Sequence, residues 1–310
     1  MSITWKRVNK GFWQVADPKI WIASAIPMFL GAIIAVGFYR EFNTYWFLVA
    51  VLGVFLIEVG KNAINECIDY ITGADPGVDD EHRTPFSGGK KTIVDGILTV
   101  GQSALIGIAT MSAAAVIGLY VVIFREFSVI YIGLAGFLLA VIYSLPPFKL
   151  CYRGFGEIAV GLSFGPLILN GMYVVMTNRF DVLPLLVSLP IGFLIVNVLW
   201  INQFPDYETD LAAGKKNWVV RLGKKKAVKV YVGIFGLNYL SIIAIAIYTF
   251  NPIWLLALLT MPKAMQAVKN CAENFDNIKN LIQSNAATVQ IYILTGVLLA
   301  TSALLDGLII

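Results

Sequence analysis

Charge is what this sequence has least of. Its 310 residues include 23 Lys and Arg and 19 Asp and Glu, 14% in all, against roughly 25% in an ordinary soluble protein. With 58% apolar residues and a mean hydropathy of +0.77, that scarcity excludes a disordered chain, a coiled coil and a conventional soluble enzyme. Cysteine is also rare. Cys67, Cys151 and Cys271 are odd in number and read as free thiols. Histidine occurs once, as His82 between Glu81 and Arg83, where a surface residue is the default. The first 19 residues lack the basic stretch and apolar core of a cleavable signal peptide. Trp5, Phe12 and Trp13 among Lys6, Arg7 and Lys10 suit either a short interfacial helix or a frayed terminus.

What is present in abundance is apolar runs of helical, membrane-crossing length. Nine segments qualify: 20–39, 45–64, 104–124, 129–143, 156–176, 183–201, 230–250, 253–268 and 286–309. The fourth and eighth are short, and Pro262 interrupts the eighth. The expected fold is an all-α polytopic membrane protein, nine transmembrane helices around a central cavity in one domain, 1–310. With the N-terminus cytoplasmic, outside loops hold only Arg40, Arg125 and Arg179, leaving 20 of 23 bases inside. That asymmetry fits the positive-inside tendency and places the C-terminus outside.

Acids cluster on the same inner side, which that tendency does not explain. Two motif loops, 65–91 and 202–226, carry them. After the second span come Asn65, Glu66, Asp69 and, beyond Gly73, Asp75. After the sixth come Asn202, Asp206 and Asp210, at i, i+4 and i+8, with Pro205 set to kink the helix or start a new one. Solvated loop acids would account for one such cluster. Two Asn-x-x-x-Asp cores 137 positions apart, each followed by an arginine (Arg83, Arg221), suggest a weak duplication of helices 2–4 and 6–8, with the motifs facing each other.

Crowded carboxylates at a membrane boundary repel, and a divalent cation relieves them. Oxygen donors favour magnesium, which keeps some waters and bridges carboxylates to phosphate. Asn65, Asp69, Asp75, Asn202, Asp206 and Asp210 are the candidate ligands around a diphosphate. Arg83, Lys149, Arg153 and Lys215 are candidates for its remaining oxygens. Lys224, Lys225, Lys226 and Lys229 read as anchors for anionic lipid.

These motifs resemble the UbiA superfamily of intramembrane prenyltransferases. The resemblance extends to Arg83-Thr84-Pro85-Phe86-Ser87-Gly88-Gly89 and to the stretch from Tyr143-Ser144-Leu145-Pro146-Pro147 through Arg153-Gly154-Phe155-Gly156-Glu157. Gly73-Ala74-Asp75 and Ala213-Gly214-Lys215 look most like the menaquinone branch, whose members prenylate 1,4-dihydroxy-2-naphthoate. Glu66 departs from the family, which usually has Asp there. Gly73 stands where the common spacing puts an acid, which in the menaquinone branch falls at Asp75.

The resemblance implies Mg2+-dependent transfer of an isoprenoid from an allylic diphosphate to an aromatic acceptor in the lipid bilayer, with no nucleic-acid partner. Asp69, Asp206 and Asp210 would serve ionisation. The allylic cation would sit against an aromatic face, Tyr143 or Tyr152. A naphthoate acceptor would lose its carboxyl group. The run from Asp75 to Lys91 could cover the site or be an ordinary connection. Other readings are a UbiA-type enzyme with a lipid glycerol phosphate, haem-precursor or carotenoid acceptor, a terpene cyclase, and a cation-coupled transporter. A transporter would place acids near the midplane, and spans three, four, five, seven and eight contain none there, Glu157 lying at the inner end of the fifth.

Overall fold

Helix starts and stops follow local chemistry. An amphipathic helix α1, Ser2–Ala16, leads into α2, Ile22–Tyr39. The Asn43 side chain accepts from Trp46 N–H and caps α3, Thr44–Thr72, which ends at Gly73 in the left-handed region (φ 84°). A Thr99–Gln102 capping box opens α4, Val100–Phe124. Then follow α5, Val129–Ser144, and α6, Gly156–Leu162, which runs through a π-helical turn containing Pro166 into α7, Ile168–Thr177. The remainder comprises α8, Val182–Asn202; α9, Tyr207–Ala212; α10, Trp218–Leu222; α11, Lys224–Thr249; a 3-10 run, Pro252–Thr260; α12, Met261–Asn274; and α13, Ile278–Ile309. This computed structural model describes residues 2–77, 84–85 and 89–309, the first three as backbone only. Among them there is no β-strand.

Among the described residues seven helices are long and apolar enough to cross a membrane: the one ending at Tyr39, α3, α4, the Gly156–Thr177 run, α8, α11 and α13. The two other expected spans are the short and the interrupted ones. α5 has only 16 residues. Position 253–268 holds a 3-10 run that gives way to α12 beside Pro262, whose missing N–H cannot continue the preceding turns. α1 is a helix along the bundle rather than a frayed end. Its Val15 packs with Ala63 and Leu98, while Trp5 and Trp13 stay exposed.

α3 packs on α4, α5 and α7; α8 packs on α11, α13 and α6; α2 bridges the two groups through α7 and α13. Small residues permit this closeness: a Cβ on Gly165 would lie 2.8 Å from the Gly192 Cα across the α6–α8 crossing. Between α3, α4, α5 and the α6–α7 run lies a cavity of about 190 Å3 with mostly aliphatic walls.

Candidate active site

The first motif is the last two turns of α3. Because the helix continues past its apolar stretch, Asn65 and Asp69 share a face, and Asn65 Nδ2 donates to Asp69 Oδ2 at 2.8 Å. Ser144 Oγ, at the end of α5, donates to Asn65 Oδ1 at 2.5 Å. Tyr152 OH donates to Asp69 Oδ1 at 2.7 Å and meets the Thr72 hydroxyl at 2.5 Å. Past Gly73 the chain folds back, so that Asp75 N–H donates to the Asp69 carbonyl at 3.2 Å. Asp75 is buried, and a Cβ on Gly89 would run into its carboxylate. Burial, then the negative Asp69 and Glu66, push the Asp75 carboxyl up to about 8.

Glu66 faces elsewhere. Its Oε1 accepts from Thr92 Oγ1 at 2.6 Å and from Ile93 N–H at 3.2 Å, and its Oε2 accepts from Lys90 N–H at 3.2 Å. Glu66 thus pins the 90–93 loop. Lys91 of that loop donates to the Asp75 carbonyl. The three cysteines are free and buried. Burial raises the Cys151 thiol to about 11, consistent with a packing role.

The second motif is broken where the first is continuous. α8 stops at Asn202, and a turn through Pro205 separates it from α9. The expected single stripe of Asn202, Asp206 and Asp210 is therefore divided. Asn202 Oδ1 accepts from Asn285 Nδ2 of α13 at 2.8 Å. Asp206 is half-buried at the start of α9. Asp210 is buried and accepts from Asn217 Nδ2 at 2.7 Å. Burial raises its pKa, opposed by Lys215.

Lys215 joins the motifs. Its ammonium lies 3.5 Å from Asp69 Oδ2 and 3.5 Å from Asp210 Oδ1, and these two acids hold its pKa well above the ordinary lysine value against the opposing effect of burial. It also stands 5.6 Å from the Tyr152 ring centroid, with Lys149 Nζ at 5.1 Å. Arg153 is exposed, and its backbone carbonyl accepts from Arg221 Nη2 at 2.8 Å. Arg83 and His82 lie outside the described residues, as does most of the loop between Asp75 and Lys91.

Among the described residues no three His, Cys, Asp or Glu side chains come together as a ready-made metal site. Instead the Lys215 ammonium draws together one carboxylate from each motif, Asp69 and Asp210, and carboxylate oxygens are the donors that a hard divalent ion takes. Tyr143 lies one residue before Ser144 and lines the apolar cavity, so that cavity begins next to the first motif. Sequence reasoning had no role for Ser144, Thr72, Asn217 or Asn285. Only Ser144 carries a local signal, its place inside the Tyr143–Pro147 stretch.

Known proteins are similar along most of the chain. A 1,4-dihydroxy-2-naphthoate octaprenyltransferase of Bacillus subtilis is 26% identical, covering 95% of this chain and 92% of its own. A 2-carboxy-1,4-naphthoquinone phytyltransferase of Synechocystis is 28% identical over 94% and 92%. The solved structure of an Archaeoglobus fulgidus UbiA homologue bound to DMAPP and Mg2+ superposes with a TM-score of 0.68 at 16% identity, covering 94% of this chain and 99% of that one. That likeness extends to the overall helical fold. The UbiA prenyltransferase family matches residues 24–269, so the chain belongs to that family and is a prenyltransferase.

Proposed function

We propose that this prenyltransferase moves an isoprenoid chain from an allylic diphosphate to an aromatic acceptor, 1,4-dihydroxy-2-naphthoate, with magnesium held between its two motifs. The observation that carries this reading is the position of Lys215. Two acids, one from each motif, converge on one cationic centre beside an apolar cavity. The Mg2+-bound homologue and the naphthoate prenyltransferases among the relatives support it.

Asp69, Asp75, Asp206 and Asp210 would hold the metal, with Asn65 and Asn202 as neutral ligands or orienting groups. Magnesium, when bound, neutralises charge growing on the departing diphosphate. Lys149 and Lys215 would follow that charge, a role supported by both ammoniums standing against the Tyr152 ring. Arg83 and Arg153 would add contacts from the loops. Tyr143 offers its ring to the allylic cation, and its face already carries an ammonium, Lys61 Nζ at 5.6 Å. The tail would lie in an apolar channel between helices, open to lipid, and the aliphatic cavity walls would keep water from the cation. The acceptor carbon then attacks, and a naphthoate would lose its carboxyl group.

The finer architecture belongs to the same reading. α5 and the Pro252–Thr260 run with α12 would complete nine spans around the cavity, putting the N-terminus and site on the cytoplasmic side and the C-terminus outside. The pairing of α3 with α4 and of α8 with α11 supports a repeat of helices 2–4 and 6–8.

Purified protein with Mg2+, farnesyl or geranylgeranyl diphosphate and dihydroxynaphthoate should release diphosphate and form a prenylated product. Release with a different acceptor alone would overturn the acceptor. No release with any acceptor or chain length would overturn the reaction.

A further inference from the structure

Two ionisable side chains within a spanning helix have no place in the diphosphate site. Glu58 and Lys61 lie on α3, seven and four residues before Asn65, and both line the apolar cavity. Glu58 is 5% exposed, and its Oε2 completes no hydrogen bond. The Ser24 hydroxyl of α2 is the polar group beside it. Among the described residues no ion pair within 4.0 Å joins Glu58 to Lys61, and the Lys61 ammonium stands 5.6 Å from the Tyr143 ring centroid. Ionisable side chains inside a bilayer are costly and are kept where they serve a ligand.

We infer that Glu58 and Lys61 form the polar end of the acceptor pocket, built for an aromatic acid with a hydroxyl ortho to its carboxylate. This rests on the aromatic-acceptor reading above. Lys61 supplies a point charge for the ligand carboxylate, and Glu58 accepts a hydrogen bond from the neighbouring hydroxyl. Tyr143 and the aliphatic wall take the ring faces. A helical rise of about 1.5 Å per residue sets Lys61 roughly 6 Å below Asn65, within reach of a prenyl carbon hanging from the diphosphate site. The carboxylate of Glu58 disfavours a polyanion there. The diphosphate is thereby left to Lys149 and Lys215, and the two substrates are sorted by charge pattern.

The test is ligand binding by the full-length protein in nanodiscs, read by naphthol fluorescence. Wild type should bind 1-hydroxy-2-naphthoate about 10- to 100-fold more tightly than 1-naphthol, the range of one charge-assisted hydrogen bond. Lys61→Met should erase that preference, and Glu58→Gln should erase the preference over 2-naphthoate, which lacks the hydroxyl. Geranylgeranyl diphosphate affinity should stay within twofold in both variants. Equal binding of 1-hydroxy-2-naphthoate and 1-naphthol by wild type, or a preference that survives Lys61→Met, overturns the inference. The wild-type series decides even if a variant does not fold. Parallel assays of dihydroxynaphthoate turnover separate the two readings: preference without turnover leaves the pocket standing and removes the proposed acceptor.

Discussion

In the first motif α3 runs unbroken to Thr72, so Asn65 and Asp69 meet across one turn and are braced by Ser144 and Tyr152. In the second, α8 ends at Asn202, which turns away to Asn285, while Asp210 is carried on a separate helix of six residues. The same Asn-x-x-x-Asp spelling therefore yields a rigid corner in one place and a jointed one in the other. Spacing specifies a shared face only while the helix continues. The stiff motif is suited to fix the site, and the jointed one to close on whatever is bound.

If so, Asp69→Ala and Asn202→Ala should part company. Asp69→Ala removes a proposed ligand and strands Tyr152, Asn65 and Lys215, and should lower kcat/KM by about 10³-fold or more. Asn202→Ala should cost about tenfold or less, since its oxygen is already committed to α13. Equal losses in steady-state assays would erase the distinction. Magnesium withdrawal gives the next largest effect. Chelation should abolish turnover and added Mg2+ restore it, and Asp69→Asn should raise the Mg2+ needed for half-maximal rate about 10- to 100-fold. A requirement unchanged from wild type would remove Asp69 from the metal.

How much of this was legible in the sequence depends on whether the interaction was local. Asn65 with Asp69 could be read directly, because i and i+4 positions of a helix must adjoin. The end of α3 at Gly73 and the break near Pro205 were legible from backbone chemistry alone. Asn202 was not, since Asn285 is 83 residues away and only the packing of α8 on α13 unites them. Glu66 sits inside the first motif but is claimed by the 90–93 loop, a contact with no periodic signature. Glu58 and Lys61 stand out as charges in an apolar run, yet spacing assigns them nothing until a cavity gives them a common face.

The bracing of the stiff motif can be loosened without touching a ligand. Tyr152→Phe removes the hydroxyl that donates to Asp69 and keeps the ring under Lys149 and Lys215. A loss of one hydrogen bond to a charged group, about 1.5–3 kcal/mol, predicts a roughly 10- to 100-fold drop in kcat/KM. Tyr152→Leu, which also removes the ring, should fall further and raise the diphosphate KM. If both variants fall equally, the aromatic face contributes nothing.

The smallest effect probes the joint itself. Asn285 donates to the Asn202 side chain and to the Ile201 carbonyl at 3.2 Å, so it ties the end of α8 to α13 at two points. Asn285→Ala leaves both acceptors in place and frees Asn202 to swing toward Asp206. Were Asn202 a ligand restrained by α13, release should lower the Mg2+ requirement by a few-fold, while thermal stability falls by about 1–2 kcal/mol from the two lost bonds. Were Asn202 only the last residue of α8, stability should fall by the same amount and the Mg2+ requirement should not move. A Mg2+ titration of this variant beside its melting curve thus separates a hinge that serves the site from a helix end that merely sits near it.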